Sequence, residues 1–373
     1  MFWLDPLKVY PPRWMIASRG AYEQNYGCEA SFVPRQKVHG LRGTRLSHRS
    51  LRVAMTFWGS LLLLCPARIL QPQTIPNPPL GVIPINPSWQ VIERLISSGE
   101  LQQAREKLNE EIRGRGETYK SLYFEALILF KENRFMESLQ KLERSLALER
   151  QHPEAHKLTG LILVVLERFD VARPFLEAAV QLAPSDSMAH YYLGRLYYTI
   201  QRFPQAASEF QTVIRLDPTY VKAYDNLGLA LEALGDEEAA IQSYHKAIEL
   251  NERQMLRNEW PYLNLGKFLV TRNRYEESLS VVRKAVELNP KSAEAYYVLG
   301  KVLAKLGKDS EALEALKRST LNDPKYGEAH YLLSRIYLKR GQEEEAQKEI
   351  SIFQELKESG KKKEPKADER KLR

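Results

Sequence analysis

Apolar residues recur along most of the chain at the three- and four-residue spacing of amphipathic helices, and the pattern repeats about every 34 residues. A glycine marks each repeat, at Gly160, Gly194, Gly228, Gly266 and Gly300. Three of the four intervals are 34 residues, and the third is 38 because four extra residues lie near positions 253–258. A period of this length over most of a chain is typical of a solenoid.

Other residue types repeat in step with the glycine and predict two helices in each unit. A small residue follows it by twelve positions, at Ala172, Ala206, Ala240, Ser278, Ala312 and Ala346. A large apolar residue follows it by sixteen, at Leu176, Phe210, Tyr244, Val282, Leu316 and Ile350. A proline ends most units, at Pro184, Pro218, Pro290 and Pro324. An interior glycine costs a helix about 1 kcal/mol relative to alanine. We expect close packing of the glycine against the small residue of the second helix to offset this cost.

The unit 187–220 has the residue types of a known repeat at the same spacing, in His190, Leu193, Gly194, Tyr197, Ala206, Phe210, Val213 and Pro218. With these residues the chain resembles the tetratricopeptide repeat (TPR) family. Five units from Pro153 fit the pattern, and a sixth from Gly327 has Ser334 in place of glycine. Two weaker units begin at about Pro87 and at Tyr119. The resemblance implies an all-α, right-handed superhelical solenoid of helix-turn-helix hairpins, with about six clear and up to eight repeats.

Charge is distributed unevenly around this array, which we place at residues 87–356. The chain has a net charge of +8, but residues 1–67 contain nine Lys or Arg against three Asp or Glu, and residues 357–373 contain eight against four. The segment between them is therefore slightly acidic, at about −2. The basic pI belongs to the two ends, so it gives no support to nucleic-acid binding.

The segment before the array predicts export or membrane attachment. Arg49 and Arg52 precede an apolar run from Val53 to Cys65, and Ala67 follows it. Thirteen apolar residues suit the centre of a secretory signal at 53–67, or a short anchor, better than a membrane span. The alternative is a buried helix or a sequence artefact. Because about fifty residues precede the apolar run, a further hypothesis is that the true start lies near Met55 and residues 1–52 are a mis-assigned start. We expect an exported or membrane-associated protein, in the periplasm or envelope if the source is bacterial, and a cytoplasmic one if 53–67 is not a signal.

The remaining flanking sequence is polar or rich in proline. Residues 68–86 are expected to form an extended proline-rich linker, and residues 357–373 a basic disordered tail. The two cysteines, Cys28 and Cys65, both precede Ala67, so a processed chain would have neither thiols nor disulfides.

The sequence offers no pattern for catalysis, a metal or a cofactor. No HExxH, paired-cysteine or P-loop motif is present. His156, His190 and His330 occupy a position that Tyr fills in other units, so we interpret them as packed, hydrogen-bonded rings. We therefore expect a protein that is not an enzyme.

The resemblance also identifies a candidate binding face, because one face of the first helices lines the concave groove in TPR arrays. Residues four apart share a helix face. The corresponding candidates here are Tyr191, Arg195, Lys267, Tyr297, Lys301, Lys305, Tyr331, Arg335 and Lys339. Cations beside tyrosines favour an acidic peptide or a carboxylate. An ordinary solvated helix face is the alternative interpretation.

Asn226 and Asn264 each lie two residues before a glycine and resemble two rungs of the asparagine ladder that holds a peptide backbone in O-GlcNAc transferases. We accordingly expect a non-enzymatic scaffold that binds a partner peptide or protein segment in the groove. The alternative is a structural or assembly subunit of an envelope complex that uses its convex face or edges. The sequence names neither the partner nor the oligomeric state.

Overall fold

The computed structural model describes residues 87–361, and within that range it contains sixteen α-helices and no strand. Of the described residues, 92–361 belong to one compact unit, which is the subject below. The helices are α1 Pro87–Ser98, α2 Leu101–Arg115, α3 Tyr119–Lys131, α4 Phe135–Leu148, α5 Pro153–Val165, α6 Phe169–Leu182, α7 Ser187–Thr199, α8 Phe203–Leu216, α9 Val221–Leu234, α10 Glu237–Arg253, α11 Trp260–Thr271, α12 Tyr275–Leu288, α13 Ala293–Lys305, α14 Asp309–Asn322, α15 Gly327–Lys339 and α16 Glu343–Lys361.

The helices follow one another as eight first-and-second pairs, so the two weaker upstream units are helical as expected. From α3 onward each first helix packs along the second helix of its own unit, and that second helix packs on the first helix of the next unit. Each unit therefore buries its apolar face against its neighbours, as solenoids do. Positions below are counted so that the recurring glycine is position 8 of its unit.

The recurring glycine allows the two helices of a unit to approach closely, as the pattern predicts, but its main neighbour is not the small residue. A Cβ atom on Gly194 would lie 2.8 Å from the Phe210 ring, and one on Gly266 would lie 2.3 Å from Val282 Cγ2. Both neighbours are the large apolar residue at position 24. The backbone carbonyl of the small residue also lies nearby, since a Cβ atom on Gly300 would be 3.3 Å from Ala312 O.

Position 15, between the two helices, has a left-handed backbone in every unit, with φ between 57° and 84°. Its residues are Gly99, Asn133, Glu167, Gln201, Gly235, Asn273, Gly307 and Gly341. This conformation lets the next backbone N–H reach back five residues, as Arg202 N does to Tyr197 O at 2.8 Å. Such a bond satisfies a carbonyl at the helix C-terminus and fixes the turn into the second helix.

The four extra residues near 253–258 lengthen α10 and form a braced loop. α10 has 17 residues, whereas α8 and α12 have 14 each. Leu256 N donates to Asn251 O at 2.9 Å, and Asn251 Nδ2 donates to Asn258 O at 3.0 Å. These bonds close the loop so that α11 resumes the repeat pattern.

The last helix continues beyond the expected end of the array at 356. α16 runs to Lys361, so residues 357–361 of the expected disordered tail are helical. The helix formers Glu, Leu and Lys in its last turns explain the extension without any apolar packing. The candidate signal at 53–67, the linker at 68–86 and residues 362–373 lie outside the described residues. Within 87–361, no helix combines the length and apolar character needed to cross a bilayer.

Candidate partner-binding face

The candidate residues lie on a surface formed by consecutive first helices. From α3 to α15, each first helix also contacts the first helix of the next unit, so positions 5, 9 and 13 form adjacent rows. We call this surface the first-helix face. Position 9 of this face is Leu161 in α5, Arg195 in α7 and Leu229 in α9.

Tyr191 and Arg195 are packed inside the array. Tyr191 is 3% exposed, and its ring lies 5.2 Å from the Tyr220 ring. The Arg195 guanidinium carbon lies 5.8 Å from the centre of the Tyr191 ring, within reach of a cation–π contact. Burial leaves Tyr191 little surface to offer a ligand, so we do not include it in the proposed site.

The two candidate asparagines also bond within the chain. Asn264 is 4% exposed, and its Nδ2 donates to both carboxylate oxygens of Asp225 at 2.9 and 3.0 Å. Asn226 Nδ2 donates to Lys222 O at 2.8 Å and lies 3.5 Å from the Tyr191 hydroxyl. Because both amide N–H groups bond inside the array, we do not propose an asparagine ladder.

Lys267 forms an ion pair across two units. Its Nζ bonds Glu294 in the first turn of α13, and the two side chains are 26% and 16% exposed. The pairing lowers the net charge that Lys267 offers to a ligand. Sequence patterns within one unit could not have found it, because Glu294 lies 27 residues away in the next unit.

The C-terminal part of the first-helix face is more open and more cationic. In α13, Lys301 Nζ lies 6.0 Å from the centre of the Tyr297 ring, and Tyr297 is packed at 5.2 Å from the Tyr326 ring. Lys305, one turn further along the same helix, is exposed. Tyr297 is therefore half-buried with Lys301 beside its ring, and Lys305 lies one turn beyond Lys301.

The next first helix, α15, adds three more candidates. Tyr331 is 41% exposed, and Arg335 one turn later is also exposed. Lys339 bonds Asp309 Oδ2 at 2.6 Å but keeps 62% of its side chain exposed. The structure thus places Tyr297, Lys301, Lys305, Tyr331, Arg335 and Lys339 on two neighbouring helices, and we call these residues the cation cluster.

His190 and His330 are packed and bonded through both ring nitrogens, which confirms the sequence interpretation for these two, whereas His156 bonds through Nε2 only, to Arg150 O at 2.9 Å. His190 Nδ1 lies 2.6 Å from Glu209 Oε2, and its Nε2 lies 3.1 Å from Pro184 O. His330 has the same arrangement with Glu349 and Pro324, at 2.5 and 3.1 Å. Among the described residues, no group of three or more acidic, histidine or cysteine side chains could hold a metal.

Buried groups elsewhere in the array show shifted pKa values. Burial raises the pKa of Tyr197 to about 12, helped by its hydrogen bond to Glu177 of the preceding unit. Burial also lowers the pKa of His152, partly opposed by the nearby Glu154 carboxylate. Both groups lie in the packing between units, outside the cation cluster.

Comparison with known families agrees with this architecture. The chain matches the family described as "Tetratricopeptide repeat" over residues 123–187, 191–253 and 293–326, and the family described as "TPR repeat" over residues 266–307. The chain is a tetratricopeptide repeat protein. TPR arrays are in general protein–protein interaction scaffolds without catalytic activity, and they bind peptides or proteins.

One of the solved structures that match, at low sequence identity, has the same fold. The APC/C hetero-tetramer Cut9-Hcn1 matches with a TM-score of 0.55 and 17% identity, over 66% of this TPR chain and 48% of that chain. The TPR chain thus spans about half the length of its Cut9-Hcn1 relative. MamA 41-end from Desulfovibrio magneticus RS-1 has a TM-score of 0.40 and 25% identity, over 45% and 94% of the two chains. YrrB, a TPR protein with an unusual peptide-binding site, has a TM-score of 0.39 and 22% identity, over 50% and 95%. No curated protein matches the sequence.

Proposed function

We propose that this TPR protein binds an acidic, extended segment of a partner protein on the C-terminal part of its first-helix face. The observation that supports the proposal is the cation cluster on α13 and α15. Lys305 and Arg335 are exposed there and form no ion pair with another described residue. Binding a carboxylate would satisfy charges that the folded array leaves in solvent.

Helix spacing suggests the pattern of acids in the partner segment. Packed helices lie about 8–10 Å apart, and an extended segment in the polyproline II conformation advances about 3.1 Å per residue and presents the same face at every third residue. A segment crossing the first helices therefore moves from one helix to the next in about three residues. We expect one acidic residue opposite Lys301 and Lys305 on α13 and another three positions along the segment, opposite Arg335 on α15.

A labelled peptide tests this arrangement by fluorescence anisotropy. The probe is a twelve-residue extended peptide with Asp at every third position, and its comparison peptide has Asn at the same positions. We expect the full-length protein to bind the Asp peptide and the double variant Lys301→Glu/Lys305→Glu to lose roughly tenfold or more in affinity.

The control variant must change the net charge equally without touching the first-helix face. Arg318 in α14 and Lys348 in α16 are exposed cations on second helices. Arg318→Glu/Lys348→Glu should bind the Asp peptide as the unaltered protein does. Equal losses in the two double variants would mean that the peptide responds only to net charge, and the proposed site would then be wrong.

The location of the protein is a separate proposal that rests on residues 53–67 alone. We propose that this segment directs export or attaches the protein to a membrane, which would place the array in the periplasm or envelope of a bacterial source. Cell fractionation followed by intact-mass measurement tests it. A soluble cytoplasmic protein that retains residues 53–67 would contradict it.

A further inference from the structure

The last unit has an open cavity where every inner unit has a neighbour. The cavity lies between α15 and α16 and has a volume of about 540 Å³. Tyr331, Arg335 and Leu338 line it from α15, and Glu343 and Ile350 line it from α16. Tyr331 and Leu338 are 41% and 59% exposed. We call these five residues the end seat.

The same positions in inner units lie against the first helix of the next unit. Tyr191, the counterpart of Tyr331, is 3% exposed because Tyr220, which directly precedes α9, packs against its ring. Tyr244, the counterpart of Ile350, is fully buried with its ring 6.2 Å from the Phe268 ring in α11. The end seat is therefore shaped for one more first helix, and none of the described helices occupies it.

Contacts in the inner units specify the chemistry of that helix. Lys267 at position 9 bonds Glu294 in the first turn of the next first helix. Position 24 packs on position 10 of the next helix, as Tyr244 does on Phe268. Asp309 at position 17 bonds Lys339 at position 13 of the next first helix at 2.6 Å.

The last unit presents a matching group at each of the three positions. Arg335 is at position 9, Ile350 at position 24 and Glu343 at position 17. A complementary helix needs an acid in its first turn, an apolar residue eight positions later and a base three positions after that. Acid near the N-terminus and base near the C-terminus also suit the helix dipole.

We propose that the end seat binds an amphipathic helix of a partner protein with this acid, apolar and basic spacing. The surface differs from the one in the proposed function. Tyr331 and Arg335 belong to both surfaces, but Leu338, Glu343 and Ile350 belong only to the end seat, and Lys301 and Lys305 only to the cation cluster.

Two occupants from the chain itself fit less well. Residues 362–373 have only Ala367 and Leu372 as apolar residues and are strongly basic, so they cannot supply an apolar face beside Arg335. In a second copy, α1 has no acid in its first turn and has Arg94 and Ser97 where an apolar residue and a base are needed. The experiment below includes both as outcomes.

A suitable probe exists in the chain itself, because α15 has the full spacing in Glu328, Ile336 and Lys339. A labelled peptide of residues 326–341 is titrated with the full-length protein and followed by fluorescence anisotropy. We expect Arg335→Glu to weaken binding roughly tenfold, and a Glu328→Lys peptide to bind Arg335→Glu better than it binds the unaltered protein. Leu338→Asp and Ile350→Asp should each abolish most of the binding, with circular dichroism confirming that the variants fold.

Control variants separate this proposal from the proposed function. Lys348→Glu changes the charge of α16 outside the seat and should have no effect on helix binding. The double variant Lys301→Glu/Lys305→Glu alters the cation cluster and the surface of α13 against which α15 packs. Its affinity for the helix probe should be unchanged. That result would show that the probe does not bind the cation cluster and does not displace α15.

Several results would overturn the proposal. If the Glu328→Lys peptide bound the Arg335→Glu protein no better than the unaltered protein, the peptide would bind elsewhere. The same conclusion would follow if Leu338→Asp and Ile350→Asp left binding unchanged. Binding that occurs only after removal of residues 362–373 would assign the seat to the chain's own tail. Light scattering that shows a dimer dissociated by the probe and by Leu338→Asp would assign it to a second copy.

Discussion

At the scale of single residues, position 15 shows how the repeat constrains the sequence. Six units have Gly or Asn there, which tolerate a left-handed backbone, while Glu167 and Gln201 adopt it at φ 57° and 59°. The recurrence of Gly and Asn seven positions after the glycine was available in the sequence as a signal. The turn geometry could have been predicted from it.

Replacing Gln201 by Gly should therefore stabilise the protein. A left-handed side-chain residue costs about 1–2 kcal/mol, and part of the gain is offset by the larger entropy of glycine in the unfolded chain. We expect a net gain of about 0.5–1 kcal/mol, seen as a higher urea midpoint. Gly235→Gln, at the equivalent position, should lower the midpoint by a similar amount. A Gln201→Gly midpoint at or below that of the unaltered protein would show that the turn is not strained.

At the scale of helices, the close approach at position 8 decides how the two helices of a unit pack. Gly266 is the tightest case, since an added Cβ would lie 2.3 Å from Val282 Cγ2. The periodic pattern predicted the hairpin but assigned the contact mainly to the small residue, because it gave only spacing and not side-chain direction. Side chains of helical residues point towards the N-terminus, and this direction places position 24 over the glycine.

Gly266→Ala should destabilise the protein although alanine is the better helix former. We expect a loss of about 1–3 kcal/mol from overpacking, measured by chemical denaturation. The second substitution Val282→Ala should recover part of that loss by making room for the new methyl group. Gly114→Ala in α2, where a Cβ would meet nothing within 4 Å, should cause no loss. A stability gain in Gly266→Ala would contradict the packing described here.

Contacts between units were the part of the candidate site that the sequence could not predict. Glu294 neutralises Lys267 and Asp225 binds Asn264 only because neighbouring units stack in a particular register. A pattern that repeats within each unit contains no information on which side chains of different units meet. The structure places positions 5 and 9 in rows, as predicted. Contacts with neighbouring units decide how far each side chain in those rows is exposed to a ligand.

At the scale of the whole molecule, the array offers two different surfaces along residues 92–361. The first-helix face gathers exposed cations on α13 and α15, and the end seat exposes apolar residues between α15 and α16. Both lie in the C-terminal units, so a partner that uses an acidic segment and a helix could contact them together. The competing interpretation is that the array contacts other proteins through its second helices.

Photo-cross-linking from defined positions tests the central claim most directly. A photoreactive amino acid replaces Lys305 on the first-helix face in one version of the full-length protein, and Lys348 on a second helix in another. We predict that the Lys305 version cross-links to a partner in extracts of the source cells, and that the linked peptide is acidic, while the Lys348 version gives no such product. Cross-links from Lys348 alone would contradict binding on the first-helix face and would favour assembly through the second helices.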